Sequence, residues 1–160
     1  MSHPVPPRSV GRTRRALLAR LAGLCVLPGL VARAWAAVHA RPARAFEQDE
    51  VAAALQELYG RADLPSSELV RIGVAALAEN GAVVPVKVEV DLPHVDEIVL
   101  LASRNPVVLV GRFSFGPRTR PFVAARVKLA ETSEVVAVAR AGDELLMARA
   151  AVEVTVGGCG

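Results

Sequence analysis

The chain carries two thiols, Cys25 and Cys159. Cys159 stands between Gly158 and Gly160, just after the alternating stretch Val152-Glu153-Val154-Thr155-Val156. That alternation predicts a strand with the three valines on one face and Glu153 and Thr155 on the other, held by its sheet as far as Val156. Gly157 and Gly158 have no side chain and wide backbone freedom. Gly157 to Cys159 therefore make an arm of roughly 10 Å at full extension, slim enough to enter a narrow channel in another protein. No Lys, Arg or His occurs in residues 151–160, and the nearest cation in sequence is Arg149. A thiol without such neighbours is only about a few per cent thiolate at neutral pH. Cys159 is thus a poor catalyst alone and better suited to be a handle that holds a group covalently, activated by the enzyme that receives it.

Two other readings are compatible with the same residues. The chain could be a binding module whose thiol only forms disulfide-linked dimers. It could also be a self-sufficient thiol enzyme, which the lack of a nearby base disfavours. An incidental cysteine on a frayed tail is the bland alternative, and the general avoidance of free exposed cysteines argues against it. His39, His94 and Cys159 have no metal-ligand spacing. No Ser, His and Asp are marked out as a triad, and no Gly-rich phosphate loop follows a strand. No cofactor is expected.

The N-terminal 36 residues contain Arg8, Arg12, Arg14, Arg15, Arg20 and Arg33 and no acid. Thr13-Arg14-Arg15-Ala16-Leu17-Leu18-Ala19 resembles the twin-arginine export pattern, with Leu17 for Phe and Ala19 for Lys. An uncharged stretch from Leu21 to Ala32 follows, 12 residues long and interrupted by Pro28. That is too short to span a bilayer, which needs about 20 apolar residues. Ala34-Trp35-Ala36 completes the order of a signal peptide, with cleavage after Ala36. Export to the periplasm by the twin-arginine route is the expectation. Cleavage removes Cys25, leaving Cys159 as a lone thiol in an oxidising compartment. It also removes six of the 19 basic residues, leaving 13 against 16 acids, a net charge of −3. The folded part offers no basic patch for nucleic acid.

After a loose leader over 37–46, the segment 47–60, EQDEVAAALQELYG, predicts a short helix. Its acids are expected in the first turn, Val51, Leu55 and Leu58 on one face, and Gly60 just past the end. The remainder, from Leu69, reads as strands. Val84, Val86, Val88 and Val90 alternate with Pro85, Lys87 and Glu89; Pro85 suggests an edge strand or a donor-free outward position. The stretch 96–103, DEIVLLAS, is nearly all apolar, as in a strand covered on both sides. Val123, Val127 and Leu129 are expected inside, with Arg126 and Lys128 outside. Arg140 to Asp143 reads as a hairpin turn. Glu79-Asn80-Gly81 reads as a turn with positive φ, Glu131-Thr132-Ser133 as a turn or bulge, and Asp96-Glu97 and Asp143-Glu144 as solvated strand ends. About seven short strands with turns every 8 to 12 residues indicate an antiparallel, immunoglobulin-like β-sandwich. The expected organisation is a signal over 1–36, leader and helix over 37–68, sandwich over 69–156 and arm over 157–160.

The stretches Ala78–Pro93 (AENGAVVPVKVEVDLP), Asn105-Pro106, Arg126–Val135 (RVKLAETSEV) and the terminal VEVTVGGCG occur in the order found in the SoxY family. The chain resembles these sulfur-carrier subunits of the Sox thiosulfate-oxidation system. The resemblance implies a sandwich paired with a second small subunit, SoxZ, and a tail cysteine that bears the substrate. SoxXA, a c-type haem enzyme, joins thiosulfate to it oxidatively. SoxB, a manganese hydrolase, releases sulfate, and SoxCD, where present, oxidises the remaining sulfur. The carrier itself holds no cofactor and catalyses nothing. Carried over here, Cys159 is the attachment residue and Gly157, Gly158 and Gly160 form the arm. The family usually ends GGCGG where this sequence has GGCG, and commonly has Met where Leu129 stands, a volume-conserving exchange. The strand from Val83 to Val90, taken as an edge, is the expected place for SoxZ to bind.

Overall fold

The computed structural model describes residues 42–155. A 3-10 turn, Ala43–Glu47, precedes helix α1, Val51–Tyr59, and eight strands follow: β1 Val70–Val74, β2 Leu77–Ala78, β3 Val84–Val90, β4 Glu97–Ala102, β5 Leu109–Ser114, β6 Phe122–Val127, β7 Ser133–Ala141 and β8 Glu144–Val154. They form two packed sheets, one of order β1-β3-β6 and one of order β2-β8-β7-β4-β5. This is an immunoglobulin-like β-sandwich, as the strand pattern indicates. All pairings are antiparallel except the short β2–β8 pair and the Ser66–Met147 bridge, which are parallel.

The inner faces meet in a core of small residues. Val84, Val86, Val88 and Val90 point inward from β3, opposite Ile98, Leu100 and Ala102 of β4. The other face of β4 is covered as well: Val99 and Leu101 pack with Ala54 and Leu55 of α1. Every residue of β4 is buried, which is why its sequence does not alternate. Helix α1 turns Val51, Ala54 and Leu55 inward and ends at Gly60, whose φ of 68° suits a residue without Cβ. Its N–H closes the last turn on the Gln56 carbonyl at 2.9 Å.

Four expectations need correction. The acids of the helix segment do not lie in its first turn; Glu50 occupies the N-cap position without a capping side-chain hydrogen bond, and Glu47 ends the 3-10 turn before it. The leader is not loose from Pro42 onward, since Ala45 is buried against the helix cluster. Strand β3 is not an edge: it is the middle strand of its sheet. Pro85 is tolerated because pairing with β1 stops at Val86, leaving Pro85 paired only with β6, opposite Arg126. Finally, Glu97 is not a solvated strand end. It is 1% exposed and accepts from Arg112 Nε on β5 and from Tyr59 Oη of α1 at 2.9 Å, with Arg140 of β7 at 3.9 Å. Its neighbour Asp96 accepts from the Gly142 N–H at 2.8 Å and so braces the β7–β8 turn.

A carboxylate taken from water must be answered by charge and hydrogen bonds. Here the answers come from three elements, so Glu97 ties α1 to the sheet. Removing it leaves two arginines that still reach water, at 26% and 35% exposure. Glu97→Ala is therefore expected to cost about 3 kcal/mol, the low end for breaking a buried pair. Glu89→Ala, which removes long surface pairs, should cost about 0.5 kcal/mol or less. Urea unfolding of both variants checks the contrast. Tyr59 is the one tyrosine of the chain, and burial, then the Glu97 charge beside it, pushes its phenol above its ordinary value of 10.0. A raised folded-state pKa adds stability that is whole below the unfolded value and is lost as pH rises beyond it. In an alkaline titration, phenolate absorbance should thus be absent from the native protein at pH 10.0 and emerge together with unfolding.

Candidate functional site

Cys159 and its glycines Gly157, Gly158 and Gly160 lie outside the described residues, as do Val156, Arg14, Arg15 and the expected cleavage site after Ala36. What the structure shows is the end of the strand that precedes Cys159 in sequence. β8 is the longest strand among the described residues, and its pairing with β7 runs to Val152 opposite Ser133. Beyond that point its other edge pairs in parallel with the short β2, Glu153 opposite Leu77 and Val154 opposite Ala78. The Glu153 N–H donates to the Ala76 carbonyl at 2.8 Å, Val154 N–H to Thr132 Oγ1 at 3.0 Å, and Thr155 N–H to the Ala78 carbonyl at 3.1 Å. Backbone acceptors of the β2 segment and the Thr132 side chain of the β6–β7 loop thus fix three successive residues at the end of β8.

Those segments are themselves fixed. Asn80 Oδ1 accepts from the Ala82 N–H at 2.9 Å, an Asx-type turn. Among the described residues positive φ occurs at His94, Gly60 and Gly142. The turn Glu79-Asn80-Gly81 therefore does not take the positive φ expected of it. Gly81 serves a different purpose: a Cβ there would lie 2.6 Å from the Leu129 carbonyl oxygen and 2.8 Å from Val154 Cγ1. The missing side chain lets the 78–83 loop close onto both, and Leu129 N–H donates to the Gly81 carbonyl at 2.8 Å. Asn105 braces the next loop, donating to the Lys128 carbonyl at 2.8 Å and accepting from the Ala130 N–H at 2.9 Å. Leu129 itself is buried beneath this junction.

The four separated stretches Ala78–Pro93, Asn105-Pro106, Arg126–Val135 and the end of β8 are therefore joined by hydrogen bonds at one end of the sandwich. Thr132, read from sequence as part of a turn or bulge, sits beside the end of β8. The close approach at Gly81 and the two-way clip of Asn105 could not be read in advance; an Asn-Gly pair and an Asn-Pro pair signal turns, not the partners those turns find. Arg149, the nearest cation in sequence to Cys159, is engaged by Glu134 at 2.7 Å. Among the described residues no group of His, Cys, Asp and Glu is arranged to hold a metal ion.

Fold and site together define an immunoglobulin-like sandwich organised around the exit of its last strand. The family model described as sulfur oxidation protein SoxY matches residues 55–159, from within α1 through Cys159. Among solved structures, the sulfur carrier protein SoxY from Chlorobium limicola f thiosulfatophilum is similar, with 34% sequence identity and a TM-score of 0.57, over 64% of this chain and 94% of that one. No curated protein matches. The chain belongs to the SoxY family.

Substituting Gly81 tests the base of the arm. Gly81→Ala places a methyl group against backbone, which cannot swing aside, and should cost about 1–3 kcal/mol. Hydrogen exchange should quicken at the Val154 and Thr155 amides while β4 amides stay protected relative to global stability.

Proposed function

We propose that this protein is a periplasmic sulfur carrier, exported by the twin-arginine route, that holds sulfur intermediates covalently on Cys159 and presents them to partner enzymes on the arm Gly157–Gly160. The observation that carries the reading is the family match, which extends over residues 55–159 and so includes Cys159, on a chain whose last described residues are fastened by β2 and by Thr132. The related structure is that of a sulfur carrier protein.

The chemistry needs a thiol and little else from this chain. Loading joins the Cys159 thiol to the outer sulfur of thiosulfate, forming one S–S bond with release of one proton and two electrons to the haem enzyme of the SoxXA type. Hydrolysis by a SoxB-type enzyme then adds water across the S–S bond to the sulfonate group. Sulfate leaves, a persulfide anion stays on the carrier, and two protons go to solvent. A SoxCD-type enzyme, in a host that has one, oxidises the persulfide sulfur further. A SoxZ-type subunit completes the carrier as a heterodimer. The carrier's own residues bind no cofactor in this scheme. They keep the thiol accessible and the base of the arm in place.

Intact-mass spectrometry without reductant, on protein from the periplasm of its host grown on thiosulfate, tests this directly. The expected mass begins at Ala37 and includes sulfur or sulfonate adducts that disappear on reduction and map to Cys159. Cys159→Ser should carry none. A bare thiol, or only a disulfide-linked dimer that reductant separates, would support the binding-module reading instead.

A further inference from the structure

Five large apolar side chains are exposed among the described residues: Leu69, Leu77, Val83, Val107 and Phe122. They divide between the two ends of the sandwich. Leu77 is on β2, whose partner on β8 is Glu153. Val83 directly precedes β3, beside the turn whose Gly81 bonds Leu129, and its N–H donates to the Asn80 carbonyl at 3.3 Å. Val107 is in the β4–β5 loop that Asn105 pins to Lys128 and Ala130. All three therefore surround the exit of β8. Leu69 and Phe122 are at the other end, where Leu69 bonds Asp91 and Phe122 pairs with Glu89.

The tether limits what can reach Cys159. Cys159 is four residues on from Thr155, a reach of at most about 14 Å at full extension. Thr155 is held to Ala78 by its N–H. An enzyme whose reacting atoms lie inside a channel must therefore bring the channel mouth down onto the end of the sandwich before the thiol arrives. The surface around the exit is then buried at every such encounter. Exposed Glu79, Glu131 and Glu153 stand around the same end, giving apolar side chains among charged ones, the composition of a transient interface with a polar rim.

We propose that Leu77, Val83 and Val107 form the docking surface for the enzymes that act on the Cys159 sulfur, seating the rim of the enzyme's channel around the exit of β8. This rests on the carrier reading and adds to it where the recognition surface is. The opposite end, with Leu69 and Phe122, takes no part in that encounter.

The test uses the carrier with its partner subunit and the purified thiosulfate-joining haem enzyme of the same host. Leu77→Asp, Val83→Asp and Val107→Asp should each raise KM for enzymatic loading about tenfold, a typical loss for a well-buried contact, with kcat little changed. Leu69→Asp and Phe122→Asp should leave KM within about twofold. Reaction of Cys159 with a small aromatic disulfide should proceed at the unaltered rate in all five, because no docking is needed there. Thermal midpoints identify any variant that fails to fold, and Leu77→Ser and Val83→Ser, expected to give smaller rises in the same order, then replace it. Unchanged KM in the three exit variants, or equal losses at both ends, overturns the docking surface. Loading of Cys159→Ser overturns the carrier reading instead, so the two failures are distinct.

Discussion

Strand β4 is covered on both faces, and the arrangement of the molecule follows from that. A strand with one wet face can place a charge there at little cost; β4 has no such face. Ile98, Leu100 and Ala102 complete the sandwich core, while Val99 and Leu101 require a second cover. α1 supplies it. The helix is only nine residues long, too short to persist alone in water, so its stability comes from docking. The one charged residue of β4, Glu97, is then caught between sheet and helix. Tyr59, Arg112 and Arg140 satisfy it from α1, β5 and β7. Hydrophobic cover and buried charge thus fix the same helix to the same sheet.

That solid centre leaves β7 and β8 free to extend past it. The two-residue strand β2 and the loops beside it receive the end of β8, by bonds that individually contribute about 1 kcal/mol. Their number is what matters: three consecutive residues of β8 and its extension are held by Ala76, Thr132 and Ala78. Gly81 and Asn105 hold those loops in turn. A frayed strand would offer whatever follows it no fixed origin; Thr155, pinned to Ala78, offers one.

Much of this was legible in the residues. The alternation of Val84 to Val90, the unbroken run of β4, the turn before Asp143 and the glycine after the helix each carry a local physical signature, and each predicts what forms. The failures share a cause: they concern which neighbours an element acquires. Pro85 argued for an edge strand or a donor-free outward position; β3 is central, and Pro85 fits because the pairing with β1 ends at Val86, one residue away. Glu97 looked solvated because charged residues at strand ends usually are, and nothing local says that a helix 38 residues earlier will bring Tyr59 over it. Gly81 looked like a residue chosen for positive φ, whereas its role is steric. The stretches that suggested the family were read as separate strings along the chain, and only the fold joins them around one strand's exit.

The cations of this end bear on reactivity. A thiol becomes a strong nucleophile when a positive charge lowers its pKa. Arg149 is paired with Glu134 and lies five residues before Val154, about 16 Å back along the strand. On the proposed carrier reading, a thiol without such a partner on its own chain is an advantage. A thiol that ionised readily would react with oxidants and with other carriers during transit, before meeting an enzyme. On that reading the sulfur reacts where a partner supplies a positive field, and the short tether requires that partner to be seated first on the exit face. Recognition and activation would then be two parts of one encounter: the surface selecting which protein approaches, and that protein's channel deciding whether the sulfur reacts.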